Sequence, residues 1–366
     1  MKKTASTLRT AIVGCKRGKN VAQHLAGVTD FAFAAVCDLD AARAEEAARA
    51  LGGLNAYTDV DAMLAAEKPD VVFIATNTPP RAALTIRAAE AGVPGIIAEK
   101  PMAMSLGEAR AMMHACDKAG ARIIVTHQRR MGSDLVEMRA LIDEGAIGPV
   151  RTVRAGCAGD LLSDGTHALD SMRWLIGDPP AEWVLGQVFR VVPDGPGYRL
   201  PEFEKQTGFR FGHPVEAGTV SAIQFASGVR GELLTGRAQP LGRPYQDYEV
   251  VGDRGRLSRP GDKDEIFIWD EQPGGWRPAP IRPQNRRADG MAEAWKAFAA
   301  WLRGEVNDHP LSGASGLADH ELVMAIYESA RLTARVDLPL AQEAFPLQLM
   351  IDGDRRDQAQ IWSAKA

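Results

Sequence analysis

Cysteine is scarce in this chain, and neither sign of charge is in large excess. The four cysteines lie far apart and form no Cys-x-x-Cys pair, so nothing indicates a small secreted fold built on disulfides. The net charge of −4 gives no basic surplus, which argues against a protein that binds nucleic acid or an anionic membrane. We therefore expect reduced thiols and a small, neutral or weakly charged ligand.

Long apolar runs are also missing. No stretch approaches the roughly 18 apolar residues that are needed to cross a bilayer. The segment from Met1 to Thr7 lacks the apolar core of a signal peptide. We expect a soluble, cytoplasmic protein with no membrane partner.

The length of the chain and its pattern of short apolar runs indicate two domains. At 366 residues the chain exceeds the roughly 250 to 300 residues at which a single core stops growing. Residues 1–127 alternate apolar runs with helical stretches, which predicts an α/β fold: a doubly wound, parallel Rossmann sheet covered by helices. The predicted strands are Thr10 to Val13, Phe31 to Cys37, Val71 to Ala75, Gly95 to Ala98 and Arg122 to Thr126.

Residues 128–340 have a different pattern, with longer strand-like runs closed by glycine-containing turns. The pattern predicts an α+β domain with a large, mostly antiparallel open sheet, followed by an extension over 341–366. We also predict a long connection from Pro193 to Glu216 and two closing helices, near Gly290 to Arg303 and Leu317 to Ala334. The predicted strands are Val150 to Ala155, Trp183 to Val192, Thr219 to Phe225, Arg230 to Thr235 and Tyr248 to Val251.

A glycine turn follows the first predicted strand. The segment from Gly14 to Gly18 lies between a strand and a helix, which is the context in which free backbone amides bind a dinucleotide's pyrophosphate. The spacing differs from G-x-G-x-x-G, because Lys16 stands where the middle glycine belongs; its side chain could crowd the phosphate or attract it. Gly14, Lys16, Arg17 and Gly18 are the candidate cofactor residues, and an ordinary tight turn is the alternative.

Asp38 follows the second predicted strand, at the distance from the turn where an acidic side chain binds the adenosine ribose. A carboxylate there repels a 2′-phosphate and favours NAD over NADP, although Arg43 weakens that preference. Asp38 or Asp40 could instead cap the next helix. Thr76 and Asn77, after the third main strand, are further candidate cofactor residues or ordinary turn residues.

The tripeptide Glu99-Lys100-Pro101 directly follows the apolar run from Gly95 to Ala98. It places an ammonium at the carboxyl end of a buried strand, where open α/β sheets bind their ligands. Such an ammonium can orient a substrate hydroxyl and stabilise developing alkoxide charge. A surface ion pair of Glu99 and Lys100 is the alternative.

The segment from Asp164 to Asp170 carries a second set of catalytic candidates. If a helix covers Thr166 to Leu175, His167 and Asp170 share one face, because they are three residues apart. A histidine can take a hydroxyl proton at neutral pH while a carboxylate orients its ring. His167, Asp170 and Asp164 are therefore candidate acid/base residues, and a structural histidine is the alternative.

Four other polar residues are weaker candidates. Arg129 and Arg130 follow the last strand of the first domain and are assigned to the substrate or to an ion pair at the domain junction. Arg210 and His213 lie in the long connection of the second domain. No metal site is predicted.

Taken together, these motifs resemble the Gfo/Idh/MocA family, which includes glucose-fructose oxidoreductase and inositol dehydrogenase. The resemblance covers about residues 8 to 340, and its most specific parts are Glu99-Lys100-Pro101 and Gly165-x-His167-x-x-Asp170. It is also carried by Ala11-Ile12-Val13-Gly14, Cys37-Asp38, Ala75-Thr76-Asn77, the Val251 to Leu257 stretch and the segment from Ser329 to Leu340.

The resemblance implies roles for individual residues. Lys100 matches the family's catalytic lysine, His167 its acid/base histidine, and Asp170 the aspartate one turn later. Many members have an aspartate at the position of Ser163, whereas here Asp164 is displaced by one residue. Arg81 stands near the place of a usual histidine, and the middle glycine of the first turn is missing.

The function implied is that of an NAD(P)-dependent oxidoreductase that moves a hydride between nicotinamide and a secondary alcohol of a sugar, cyclitol or related polyol. The family also implies a homo-oligomer, a dimer or tetramer formed through the sheet of the second domain. Two alternatives remain open: a redox-neutral glycosidase that retains NAD, and a non-catalytic regulator that senses a sugar or dinucleotide.

Overall fold

The computed structural model describes residues 6–189, 208–240, 245–261, 265–270 and 274–353. These residues divide into two compact units. The first unit takes its described residues from 6–104, 108–132 and 287–317, and the second takes its own from 105–107, 133–286 and 318–353.

The first unit contains a sheet of six parallel strands. The strands are β1 (Leu8–Val13), β2 (Phe31–Cys37), β3 (Asn55–Tyr57), β4 (Val71–Ile74), β5 (Gly95–Ala98) and β6 (Arg122–Val125). Their order, β3-β2-β1-β4-β5-β6, is that of a doubly wound Rossmann sheet and reverses between β1 and β4. The predicted parallel α/β fold is confirmed, and all five predicted strands are present.

Alternate residues of these strands are buried on the two faces of the sheet. Ile12 and Phe73 belong to one buried apolar cluster, and their neighbours Ala11 and Val72 belong to another. This double burial explains why the strands have continuous apolar sequences. The first helices of the chain are α1 (Cys15–His24), α2 (Ala41–Ala50), α3 (Val60–Glu67), α4 (Arg81–Glu90) and α5 (Leu106–Ala119).

Strand β3 was not predicted from the sequence. It has three residues, which pair in parallel with β2, and Asn55 and Ala56 are exposed. A short edge strand of this kind has no apolar run, so periodicity gives no signal for it.

The second unit is built on a mixed sheet of nine strands. Its helices α6 (Ser133–Asp143) and α7 (Thr166–Leu175) flank strand β7 (Val150–Cys157). The later strands are β8 (Ala181–Phe189), β9 (Phe209–Arg210), β10 (His213–Pro214), β11 (Gly218–Phe225), β12 (Arg230–Thr235), β13 (Gln246–Gly252), β14 (Gly255–Arg259), β15 (Phe267–Asp270), β16 (Gly275–Pro278) and β17 (Val336–Asp337). The sheet order is β16-β15-β14-β13-β7-β12-β11-β8-β17, and β9 and β10 form a separate pair.

The prediction of a mostly antiparallel sheet is confirmed. The β7–β12 pair is parallel, and the other described pairs of this sheet are antiparallel. Four short strands of this sheet, β14 to β17, were not predicted. Residues 190–192 of the strand predicted from Trp183, and residues 193–207 of the predicted long connection, lie outside the described residues. The rest of that connection contains the β9–β10 hairpin.

The two faces of the nine-stranded sheet differ in burial. Helix α7 packs on β7, β12 and β13, and inward side chains such as Val153 and Leu233 are fully buried. Leu185 of β8 and Val220 of β11 are 46% and 42% exposed. The open face of the sheet therefore presents apolar side chains to solvent.

Both predicted closing helices are present, as α8 (Gly290–Leu302) and α9 (Gly313–Leu332). Trp295 of α8 is fully buried in the first unit, with its ring 4.9 Å from that of Phe31 and 5.2 Å from that of Phe73. Residues 346–353 of the predicted extension are helical, and 354–366 lie outside the described residues. Among the described helices, none combines the length and apolar character of a membrane span.

Candidate active site

The carboxyl ends of the parallel strands in the first unit bring most of its predicted site residues to one edge of the sheet. Gly14 follows β1, Asp38 follows β2, and Thr76 lies two residues beyond β4. Glu99 and Lys100 directly follow β5. Because the strands are parallel, these residues lie along the edge where Rossmann sheets bind dinucleotides.

The turn between β1 and α1 is short: β1 ends at Val13, and helix α1 begins immediately after Gly14. Gly14 has φ +95°, and a Cβ atom there would lie 2.8 Å from the backbone of Ala75 and Thr76. A Cβ on Gly18 would lie 2.3 Å from the Cγ2 atom of Ile12. The two glycines thus permit the tight turn and the close approach of helix to strand.

This geometry fits a dinucleotide although the middle glycine is missing. Lys16 and Arg17 occupy the first turn of α1, whose amides have no acceptor within the helix and can bind a pyrophosphate. Both side chains are exposed, so Lys16 extends toward solvent.

Asp38 is bonded to the start of α1. Its Oδ2 atom accepts a hydrogen bond from the Cys15 amide at 2.9 Å, and its Oδ1 atom accepts one from Arg43 Nη1 at 2.7 Å. The cap of helix α2 is Asp40, which accepts from the Arg43 amide at 3.2 Å, so the alternative that Asp38 caps this helix is wrong. Asp38 is therefore a nearly buried carboxylate at the place predicted for the ribose.

Glu99 is buried, and its carboxylate accepts two strong hydrogen bonds. Arg17 Nε donates to Oε1 at 2.9 Å, and Thr126 Oγ1 donates to Oε2 at 2.8 Å. Burial by itself would raise the pKa of Glu99, but the charges of Arg17 and Lys100 and the hydrogen bonds from Arg17 and Thr126 together lower the pKa below its usual value. The ion pair described for Glu99 is with Arg17, and a carboxylate that is only 5% exposed excludes the alternative of a surface pair.

Two further residues hold the segment around Lys100, and the sequence did not assign this role to either of them. The Lys100 amide donates to Thr126 Oγ1 at 3.2 Å. Arg81, which is 2% exposed, donates to the carbonyl oxygens of Thr76 and Pro101. Burial lowers the pKa of Arg81 to about 10, so its guanidinium stays charged at neutral pH. Arg81 thus connects the turns that follow β4 and β5.

In the second unit, helix α7 covers Thr166–Leu175 as predicted and carries both His167 and Asp170. The two side chains are buried, at 4% and 1% exposure, and their spacing places them on one helical face. An oxygen of Asp170 lies within 4.8 Å of one of Asp319 from α9, and Arg173 Nη1 donates to Asp319 at 2.5 Å. Asp319 was missed in the sequence.

A π-type turn, Leu161–Gly165, precedes α7 and contains Asp164. The Gly165 amide bonds to the carbonyl of Asp160 at 2.8 Å, five residues back, and the Asp160 side chain accepts from the Ser163 amide at 2.7 Å. A turn of this kind contains one more residue than a regular helical turn.

Asp164 lies in a buried polar cluster. Tyr245 Oη donates to it at 2.6 Å, and Arg210 Nη1 bonds to both Asp164 and Asp160. These bonds engage both oxygens of Asp164, which favours a role in fixing the π-type turn over proton transfer. His213 Nε2 is 3.3 Å from Ser163 Oγ, so both weak candidates of the long connection contact this turn.

Glu216 and Tyr327 complete the cluster, and neither was predicted as a site residue from the sequence. Glu216 is fully buried, accepts from the Leu161 amide at 2.8 Å and from Tyr327 Oη at 2.5 Å. Burial, with a smaller contribution from the charge of Asp160, raises the pKa of Glu216 to about 7. The only sequence signal was an acidic residue next to an apolar strand.

The two candidate arginines after β6 lie in a short 3₁₀ turn, Gln128–Met131. Arg130 is fully buried, and its Nη1 atom donates to the carbonyl of Pro310 at 3.0 Å. This bond favours a structural role for Arg130. Arg129 is half-buried.

Comparison with known proteins agrees with this architecture. Residues 8–127 match the oxidoreductase family with an NAD-binding Rossmann fold, and residues 156–258 match the Gfo/Idh/MocA carboxyl-terminal domain. An oxidoreductase from Agrobacterium radiobacter, crystallised with NAD⁺, L-tartaric acid and magnesium, has a TM-score of 0.76 at 23% identity, with 91% of this chain and 98% of that chain covered.

Two D-apiose dehydrogenases are similar in sequence. The protein from Paraburkholderia graminis is 34% identical over 195 residues, which cover 48% of this chain and only about half, 51%, of that relative. The protein from Rhizobium rhizogenes is 30% identical over 360 residues, which cover 90% of this chain and 97% of the relative. With both domain profiles matched and a relative aligned over nearly its whole length, the chain belongs to the Gfo/Idh/MocA family of oxidoreductases.

Proposed function

We propose that this protein is an NAD-dependent dehydrogenase that oxidises a secondary alcohol of a sugar, cyclitol or related polyol. The observation that carries the proposal is the placement of Lys100 directly after β5, on the sheet edge that also carries Gly14 and Asp38. An ammonium on the edge that binds a dinucleotide can contact a hydroxyl next to the nicotinamide. The similarity to D-apiose dehydrogenases supports a polyhydroxylated substrate.

The cofactor residues of the proposal lie around the glycine turn. The amides of the first turn of α1 would bind the pyrophosphate, and Asp38 would accept hydrogen bonds from the ribose hydroxyls. When bound, NAD supplies the acceptor for the hydride, at C4 of its nicotinamide ring. The residues assigned to cofactor binding are Gly14, Lys16, Arg17, Gly18, Asp38, Thr76, Asn77, Glu99 and Lys100.

Three residues would act on the substrate. Lys100 donates a hydrogen bond to the reacting hydroxyl and so favours its alkoxide character. His167 removes the hydroxyl proton, and Asp170, one turn later on α7, orients the imidazole. Arg129 is a further candidate for substrate contact, while Asp164 supports the turn before α7.

We also propose that the protein self-associates through the open face of the nine-stranded sheet. Leu185, Phe189 and Val220 are all more than 40% exposed there. On the same sheet, Arg256 lies over the rings of Trp269 and Trp276, with its Cζ atom 5.1 and 5.9 Å from the two ring centres. Apolar and aromatic residues together with arginine are typical of subunit interfaces.

The test is a screen of NAD⁺ and NADP⁺ reduction with aldoses, inositols, sugar acids and aryl glycosides. We expect NADH to form with at least one polyol, and Lys100→Ala to abolish this turnover while NAD⁺ still binds. Release of an aglycone without net NADH would instead indicate a redox-neutral glycosidase. Binding of NAD⁺ and sugar without any turnover would indicate a regulator.

A further inference from the structure

We propose that Arg17 is a positioning residue for Lys100, which it holds in place through the buried carboxylate of Glu99. The inference rests on the proposed function, because it gives Lys100 a catalytic role. It deepens that function by connecting the helix that would bind the cofactor with the segment that carries the catalytic ammonium.

The connection is direct. Arg17 lies in the first turn of α1 and donates from Nε to Glu99 Oε1 at 2.9 Å. The other oxygen of Glu99 accepts from Thr126 Oγ1 at 2.8 Å, and the same Oγ1 accepts from the Lys100 amide at 3.2 Å. A continuous series of hydrogen bonds therefore runs from Arg17 to the backbone of Lys100.

Arg17 and Glu99 differ in burial, and this difference determines what the loss of Arg17 would do to Glu99. Glu99 is 5% exposed, whereas the side chain of Arg17 is 51% exposed. Loss of a guanidinium leaves a buried carboxylate without its main counter-charge, which is costly. Arg17, whose guanidinium is half-exposed, also lies in the helical turn whose amides would bind a pyrophosphate. One residue therefore belongs both to the proposed cofactor site and to the ion pair with Glu99.

The other charges that act on Glu99 do not replace Arg17. Lys100 is the reacting cation of the proposal, and Arg81 of α4 donates to the carbonyl oxygens of Thr76 and Pro101. Both interact with Glu99 through charge, but the hydrogen-bonded ion pair comes from Arg17. In Arg17→Met, Glu99 should therefore take up a proton at a higher pH than in the wild type.

The primary experiment compares pH profiles of kcat/KM for wild type, Arg17→Met, Arg17→Lys and Arg17→Met in a Glu99→Gln background. With one ionising base, the acid limb has a slope of about one. We expect Arg17→Met to lower kcat by about 10- to 100-fold, the loss of a charge-assisted hydrogen bond. We also expect the slope of the acid limb to rise above one, because Glu99 adds a second ionisation.

Three comparisons separate positioning from simple cofactor binding. Arg17→Lys should restore part of kcat and return the slope to one. In the Glu99→Gln background, Arg17→Met should leave the slope at one. Lys16→Met, which removes the neighbouring first-turn cation, should weaken NAD⁺ binding in calorimetry without changing the slope. A normal slope in Arg17→Met, with only the NAD⁺ dissociation constant raised, would overturn the inference.

The melting temperature can be measured without any turnover, so it tests the Arg17–Glu99 coupling separately from the proposed dehydrogenase activity. The melting temperature of Arg17→Met relative to wild type, followed over the whole acid range, should fall as the pH rises, since Glu99 is then buried and ionised without its partner. This dependence should vanish in the Glu99→Gln background. If it appears but no substrate in the screen is oxidised, the proposed activity fails and the Arg17–Glu99 coupling stands. If it is absent, the coupling itself is wrong.

Discussion

Asp38 accepts a hydrogen bond from the backbone amide of Cys15 at 2.9 Å, which joins the end of β2 to the first residue of α1. The same carboxylate accepts from Arg43 at 2.7 Å. The group proposed to bind the ribose is therefore already oriented by the turn proposed to bind the pyrophosphate. An oriented acceptor loses little freedom on binding, which favours affinity.

Replacement of Asp38 should change the choice of cofactor. In Asp38→Ser the ribose loses its charged acceptor, and we expect NAD⁺ binding to weaken by about 10- to 100-fold. NADP⁺ binding should weaken less or improve, because Arg43 remains and the repelling carboxylate is gone. Fluorescence titration with both nucleotides measures the ratio. Glu45→Gln on the exposed side of α2 is the matched control, and an unchanged ratio in Asp38→Ser would contradict the assignment.

The parallel sheet could be predicted from the sequence because its strands are buried on both faces. Buried strands such as β4 and β5 have short, continuous apolar sequences, and polar motifs mark their carboxyl ends. Local sequence therefore located Asp38 and Lys100 together with the strands before them. The same argument failed for β3, which lies at the edge of the sheet and is largely exposed.

The polar contacts around the candidate site could not be predicted, because they join residues far apart in sequence. Arg17 and Glu99 are 82 positions apart, and Glu216 and Tyr327 are 111 apart. No periodicity relates such partners. The π-type turn before α7 could not be predicted either, since it is only five residues long and precedes the helix, so no periodic pattern of apolar residues runs across it. Its only trace was the unusual position of Asp164.

Removal of the proposed base should abolish one limb of the pH profile. In His167→Gln we expect kcat to fall by about 100- to 10,000-fold, the range for loss of general base catalysis. The remaining activity should lose its acid limb, because no imidazole is left to be protonated. Initial rates of NADH formation from pH 5 to 9 provide the measurement.

His114→Gln is the matched control for the proposed base, because His114 is exposed on α5. Its rate and acid limb should equal those of the wild type. An intact acid limb in His167→Gln would show that a group other than His167 takes the hydroxyl proton.

Glu216 should make stability depend on pH. Burial raises its pKa from 4.5 to about 7, so between these values the folded protein binds more protons than the unfolded chain. The stabilisation that protonated Glu216 gives the folded protein is therefore present at low pH and is lost as the pH rises through about 7. The loss is on the order of 3 kcal/mol in unfolding free energy.

The comparison with Glu216→Gln isolates this effect. A glutamine can accept from the Leu161 amide through its oxygen and donate to Tyr327 Oη through its nitrogen, and it does not ionise. Urea unfolding from pH 5 to 8 should show wild type losing stability relative to Glu216→Gln as the pH rises, while Glu182→Gln, an exposed position on β8, follows the wild type. A constant difference between wild type and Glu216→Gln across this range would show that Glu216 is already ionised in the folded state.

Charge on the open face of the sheet should dissociate the proposed oligomer. Leu185 is paired with Ala222 across β8 and β11 and is 46% exposed, so Leu185→Glu places a carboxylate in the middle of the apolar face without disturbing the core. Burying that carboxylate against a second copy would cost several kcal/mol, and we expect a smaller assembly in light scattering after size exclusion. Val306→Glu, at a residue of similar exposure, 44%, in the first unit, should leave the mass unchanged. Equal masses for wild type and Leu185→Glu would place the interface elsewhere or show a monomer.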